Sequence, residues 1–309
     1  MARWRRLAAA AVLALCGCAL PELASLTGES SGLPPRAELP GVPFHPQQEQ
    51  YCGPAALATV LGWSGLPARQ DTIATAVYTP GREGTLGHDL IAAAARHSRL
   101  AVPVVGLPAL LREVAAGHPV LVLQNLGFDW YPQWHYAVVV AYDLEAGELA
   151  LRSGGERRRV VALDTFARSW ARADRWAIVV LPPDALPASA GEAAVVRAAA
   201  GLERAGRAAE AAIAYDTILG RWPNSLGAAI GRGNLRYAAG DLDGAAAAYR
   251  AALDRHPDAA ALWNNLADVL AAQGERDAAL VAARRAVALG GPHAATYRQT
   301  LDQISGGSA

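Results

Sequence analysis

Tyr51-Cys52-Gly53-Pro54-Ala55-Ala56-Leu57-Ala58-Thr59-Val60-Leu61 is the stretch from which the rest of the chain can be read. Pro54 suits the first turn of a helix, where its missing N–H is not needed, and the Ala/Leu run behind it favours helix. A helix is therefore expected to begin near Cys52. That places a thiol at a helix N-terminus, whose unpaired amides and dipole favour an anion. A thiol attacks carbonyls as thiolate, and a free cysteine has a pKa of about 8.5, so an enzyme must also bring an imidazole within reach. The competing reading is a small buried hydrophobe, a common role for an unpaired cysteine.

Working outward, the chain holds seven histidines. His45 precedes Pro46, His88 lies in a Gly-rich loop, His97 and His118 fall near helix ends, and His256 and His293 belong to the C-terminal half. His135 alone opens an apolar strand, which would hold its ring rigidly, with Trp134 and Tyr136 beside it to screen water. A structural histidine among aromatics is the bland alternative. Helical patterns also run from about Leu86 to His97 and from Pro108 to Ala116, the latter stopped by Gly117. Strands are expected at Val120–Gln124, His135–Tyr142, Glu148–Leu151, Arg159–Leu163 and Trp176–Leu181, separated by Gly, Asp or Pro turns. Helices followed by an antiparallel meander make an α+β unit, ending at Pro182-Pro183.

Beyond it the text repeats. Gly206, Gly240 and Gly274 are spaced by 34 residues, as are Ala211, Ala245 and Ala279, and that is the tetratricopeptide period. Three repeats fit 192–225, 226–259 and 260–293 within an all-α solenoid over 190–304, with a capping helix after residue 293. Such arrays present a concave groove for a protein segment. Arg232, Asn234, Asn264, Asn265 and Arg298 are candidates to line it, against the reading that they are ordinary solvated positions.

The start of the chain is read separately. Arg3, Arg5 and Arg6 precede the apolar run Leu7–Leu15, too short to span a bilayer, which has the form of a secretory signal. Leu15-Cys16-Gly17-Cys18 resembles a bacterial lipobox. That resemblance implies removal of the segment before Cys18 and lipidation of Cys18, hence an envelope protein anchored in a membrane, facing the periplasm, with the outer membrane favoured over the inner. Residues 1–18 are thus read as signal, 19–40 as linker, and 41–183 as the first folded unit. Cys52 would then be the one thiol left in an oxidising compartment, where cysteines usually pair. The 309 residues suffice for two domains with separate cores. The 28 basic and 28 acidic side chains cancel, so nothing argues for nucleic acid.

Pro46-Gln47-Gln48-Glu49-Gln50-Tyr51-Cys52-Gly53-Pro54 is similar to the active-site opening of the bacteriocin-processing, double-glycine-leader peptidases, a papain-like cysteine peptidase family. His135-Tyr136-Ala137-Val138-Val139 resembles that family's histidine strand. The resemblance covers about residues 41–181. It implies a papain-like fold, a Cys52–His135 pair, an upstream glutamine as oxyanion donor and cleavage of a peptide bond, without cofactor or metal. Gln47 is the chosen donor, with Gln48 as its rival. The family's aspartate is expected near Leu151-Arg152-Ser153-Gly154, where no carboxylate stands. Asp143, Ser153 or a backbone carbonyl remain to orient the ring. Arg157, Arg158 and Arg159 read as a solvated turn rather than a substrate clamp, although an acidic substrate would suit them. The expected partners are a peptide or protein substrate, a protein held in the repeat groove, and a membrane through the lipid. A catalytically inactive peptide-binding scaffold is the alternative; a zinc site is disfavoured because no paired Cys or His spacing exists.

Overall fold

The computed structural model describes residues 32–47, 51–79, 81 and 84–306. Cys18 and Gln48, both singled out above, lie outside the described residues. In chain order the elements are β1 (Arg36–Glu38), α1 (Cys52–Trp63), α2 (Gln70–Val77), β2 (Tyr78–Thr79), β3 (Gly84–Thr85), α3 (Gly87–Arg96), β4 (Leu100–Pro103), α4 (Leu107–Ala115), β5 (Val120–Asn125), β6 (Trp134–Asp143), β7 (Glu148–Ser153), β8 (Glu156–Ala162), α5 (Leu163–Ala171) and β9 (Ala177–Leu181). The helical region follows as α6 (Glu192–Arg204), α7 (Ala208–Arg221), α8 (Leu226–Ala238), α9 (Leu242–Leu253), α10 (Ala260–Ala272), α11 (Arg276–Leu289) and α12 (Ala294–Gly306).

The first region is an antiparallel sheet in the order β4-β9-β5-β6-β7-β8, with β1 pairing β6 beyond the reach of β5. Two expectations are corrected here. The sheet is not a simple meander, because β9 returns to lie between β4 and β5. Residues 36–38, read as linker, are a strand held by Leu39 N–H on Val140 and by the pairing Arg36↔Asp143.

Both faces of the sheet are covered, which is why β6 reads as an unbroken apolar run rather than an alternation. Tyr136, Val138 and Val140 point to one layer with Leu57, Val60 and Leu61 of α1, Ile73 of α2 and Leu90 of α3. Ala137 and Val139 point to the other, with Leu110 and Val114 of α4 and Phe166 and Trp170 of α5.

The helical region pairs α6 with α7, α8 with α9 and α10 with α11, and ends in α12. The 34-residue spacing has a local cause. Gly206, Gly240 and Gly274 each take a positive φ (72°, 78° and 82°) just past the first helix of a pair, a conformation that glycine adopts without cost. Gly233 is small because a Cβ there would fall 2.2 Å from the Tyr249 ring. At the junction the cores are not separate, contrary to expectation. Val195, Ala199, Leu202, Tyr215 and Ile218 of α6 and α7 join the same apolar cluster as β4, β9 and α4. Edge strand β4 is thereby covered by α6 instead of standing open. The connector is fixed by a buried carboxylate: Glu113 of α4 accepts from Ser189 N (2.7 Å), Ala188 N (3.1 Å) and the His118 ring (2.7 Å). Burial alone would raise the Glu113 pKa, but these donors outweigh it and hold the carboxyl below its ordinary range.

Candidate active site

Cys52 is the first residue of α1 and is half-buried; it is the free cysteine of the described residues. Among the described residues no side chain caps this helix end, and Pro54 brings no N–H to its first turn. Gly53 serves a close approach, since a Cβ there would lie 2.8 Å from Thr85 Cβ of β3. Thr85 O in turn accepts from Tyr136 Oη at 3.2 Å.

Tyr136 is buried on the α1 face. Its phenol pKa is raised by burial first, then by the nearby Cys52 and Asp89 charges. Trp134, by contrast, is 55% exposed, and Tyr136 lies on the face of β6 away from the His135 ring, so neither aromatic screens that ring as expected. The loop before Trp134 is exposed yet ordered. Asn125 Oδ1 accepts from Gly127 N and Gln133 N at 3.0 and 2.9 Å, and the Phe128 and Trp130 rings stack at 5.5 Å.

His135 opens β6, and strand alternation directs its ring to the α5 side. Its Nε2 lies 2.9 Å from Ser153 Oγ. Of the three candidates to orient the ring, Ser153 is the one in contact. Ser153 is the last residue of β7, the strand that pairs with β6. Burial, followed by the Arg159 charge, pushes the His135 pKa below its ordinary value. Asp143 is excluded as an orienting group: it ends β6, and its Oδ1 caps the following turn by accepting from Glu145 N (3.0 Å) and Ala146 N (2.9 Å).

Gln47 ties the parts together. Its backbone N–H donates to Gly154 O at 3.1 Å, and its Nε2 donates to Tyr136 O at 3.2 Å. Cys52, Gln47, His135 and Ser153 thus lie at one end of the sheet but on different faces: Cys52 packs in the α1 layer beside Tyr136, whereas the His135 ring faces α5 with Ser153, so the expected Cys52–His135 pairing is not seen among the described residues. No hydrogen bond joins the thiol to His135 among the described residues. Among those residues there is also no group of three His, Cys, Asp or Glu arranged for a metal ion.

Residues 40–178 match the Peptidase_C39 like family, and residues 230–294 match the tetratricopeptide repeat. The chain carries a Peptidase_C39-like domain and tetratricopeptide repeats. Among solved structures, one described as a C39-like peptidase from Bacillus anthracis aligns at 18% identity and a TM-score of 0.41, over 47% of this chain and 97% of that one. MamA from Desulfovibrio magneticus RS-1 aligns at 18% identity and a TM-score of 0.33, over 45% of this chain and 71% of that one. No curated protein matches the chain. The C39-like match spans every residue of the cluster just described, from Gln47 to Ser153.

Four of the repeat positions proposed as groove lining, Arg232, Asn234, Asn264 and Asn265, have partners within the repeats. Arg232 pairs with Asp216 at 2.8 Å, and Asn234 Oδ1 accepts from both Tyr249 Oη (2.6 Å) and Asn265 Nδ2 (3.1 Å). Asn264 is buried, with its Oδ1 unpartnered among the described residues.

Proposed function

We propose that the C39-like domain is a cysteine peptidase that cleaves a peptide bond in a secreted or envelope protein, and that the repeats recruit its substrate or partner. The observation that carries this is the match of residues 40–178 to the Peptidase_C39 like family over a free thiol at the head of α1 and a glutamine whose side-chain amide is bound to Tyr136 O of β6; the His135 ring, held by Ser153, lies on the other face of β6 from that thiol. In the proposed cycle, the Cys52 thiolate adds to the scissile carbonyl carbon. The oxyanion takes donors from Gln47 Nε2 and the Cys52 amide. His135 gives the departing amine its proton, breaking the C–N bond, and water then releases the acyl group as a carboxylic acid and restores the thiol. This proton transfer requires the His135 ring to leave Ser153 and turn from the α5 side of β6 to the α1 side, where Cys52 lies.

Cys18 is proposed as the lipidated residue that holds the domain to an envelope membrane, facing the periplasm. Among the described residues, no helix is long and apolar enough to cross a membrane.

A second reading, a peptide-binding scaffold without turnover, is favoured by two observations: the His135 ring faces away from Cys52 across β6, and it is bonded to a serine where the resemblance implies a carboxylate. One experiment separates them. A peptidyl fluoromethyl ketone at neutral pH is expected to label the folded full chain once, at Cys52, by intact mass. His135→Ala is expected to slow labelling by about 10²-fold or more. Absence of labelling supports the scaffold, and undiminished labelling of the histidine variant reduces Cys52 to a merely exposed thiol.

A further inference from the structure

The α5 side of His135 opens into a cavity of about 280 Å³, with His135, Ser153 and Ser169 among its lining residues. Arg159, Arg168 and Arg172 also line it. The three consecutive arginines of the β8 hairpin therefore part company. Arg157 lies over the Phe44 ring and Arg158 pairs with Glu38 at 3.0 Å, while Arg159 alone of the three borders this cavity. Arg168 is neutralised by Asp164 at 3.0 Å. Arg172 gives one Nη to Asn125 O at 2.9 Å, but its Nε is buried with no partner among the described residues. Leaving a buried charged donor unpaired is costly, and the complement of a guanidinium fork is a planar oxyanion.

The cavity lies across β6 from Cys52, and no Asp or Glu is among its lining residues. We infer that the cavity binds a carboxylate, held by Arg172 and Arg159. That carboxylate is either an acidic side chain or the chain terminus of a bound peptide. The identity of the anion as substrate rests on the peptidase reading above; the binding of a carboxylate does not.

The test uses the full-length wild-type chain and no turnover. The His135 ring resonances are followed by NMR during titration with N-acetylglutamate α-amide, which has only a side-chain carboxylate, with N-acetylglycine, which has only a terminal one, and with N-acetylglutamine α-amide, which has neither. Saturable shifts with one or both carboxylates and none with the glutamine amide are expected. The arm that binds more tightly names the source. Arg172→Gln and, separately, the exposed Arg159→Gln are expected to weaken binding about tenfold, the loss of one charge-assisted contact. Equal response to the uncharged amide, or unchanged affinity in both variants, overturns the inference. Saturable binding in a protein that no fluoromethyl ketone labels would sustain the carboxylate site and defeat the peptidase reading. Labelling without binding would do the reverse.

Discussion

The two faces of β6 support the candidate site differently. On the α1 face, Tyr136 is locked between Trp176 and Thr85 and presents a dry, apolar wall to the helix that carries Cys52. On the α5 face, His135 meets hydroxyls and guanidinium groups and borders a cavity. Neighbouring residues of one strand thus separate the tasks. One face makes the position of the sulfur a property of the core, and the other makes the state of the imidazole a property of charges that a ligand can change.

The largest effect that probes this contrast is on stability. Trp170 on α5 is fully buried against Phe166, and Trp170→Ala is expected to cost about 3–5 kcal/mol in urea unfolding. A loss below about 1 kcal/mol would mean that the polar face is not backed by a packed core. Next comes Gln47→Ala, expected to lower kcat by about 10²–10³, as removal of an oxyanion donor does. If kcat holds and only KM rises, the amide is binding substrate and not stabilising the oxyanion. Ser153→Ala should lower kcat/KM about fivefold, the worth of one hydrogen bond of near 1 kcal/mol, whereas Ser153→Asp should raise it by strengthening the imidazolium. Equal losses in both variants would show that Ser153 only fills space.

The smallest effect concerns pH. His135 is pushed below 6.5 by burial first and by Arg159 second, so the fold favours the neutral ring. The associated stability is complete above the unfolded value and is lost as pH falls through 6.5 towards the folded one. Arg159→Gln is expected to raise the His135 pKa and to reduce this acid sensitivity, read by NMR titration and by urea midpoints at two pH values. A downward shift would mean that Arg159 acts on the ring through a contact other than its charge.

The sequence made α1 legible through Pro54 and made the repeats legible through glycines whose backbone angle recurs. The thiol, the ring and Gln47 followed because each has a recognisable local setting. What stayed hidden depends on pairing. Ser153 touches His135 across the pairing of β7 with β6, which no single strand displays. Asp143, attractive as a carboxylate on the right strand, is spent on its own turn. β4 has four residues and ends in Pro103, too little pattern to stand out beside α3. α5 was missed although Leu163, Phe166, Ala167 and Trp170 follow the helical i, i+3, i+4, i+7 rule. Likewise, the sharing of one core between β4 and α6 cannot be read from either segment alone. It shows that a deletion starting at residue 190 would tear the first region open. A cut after α7 removes later repeats while keeping the helices that cover the sheet.

Glu113 gives this junction a further meaning. Because a carboxylate buried in one region grips the connector to the next by Ala188 and Ser189, the repeats are a bracket and not a tethered arm. A protein held on them would offer the cleft whichever of its loops stood at one set span and bearing, so choice of cut would depend on geometry as much as on the residues beside the bond.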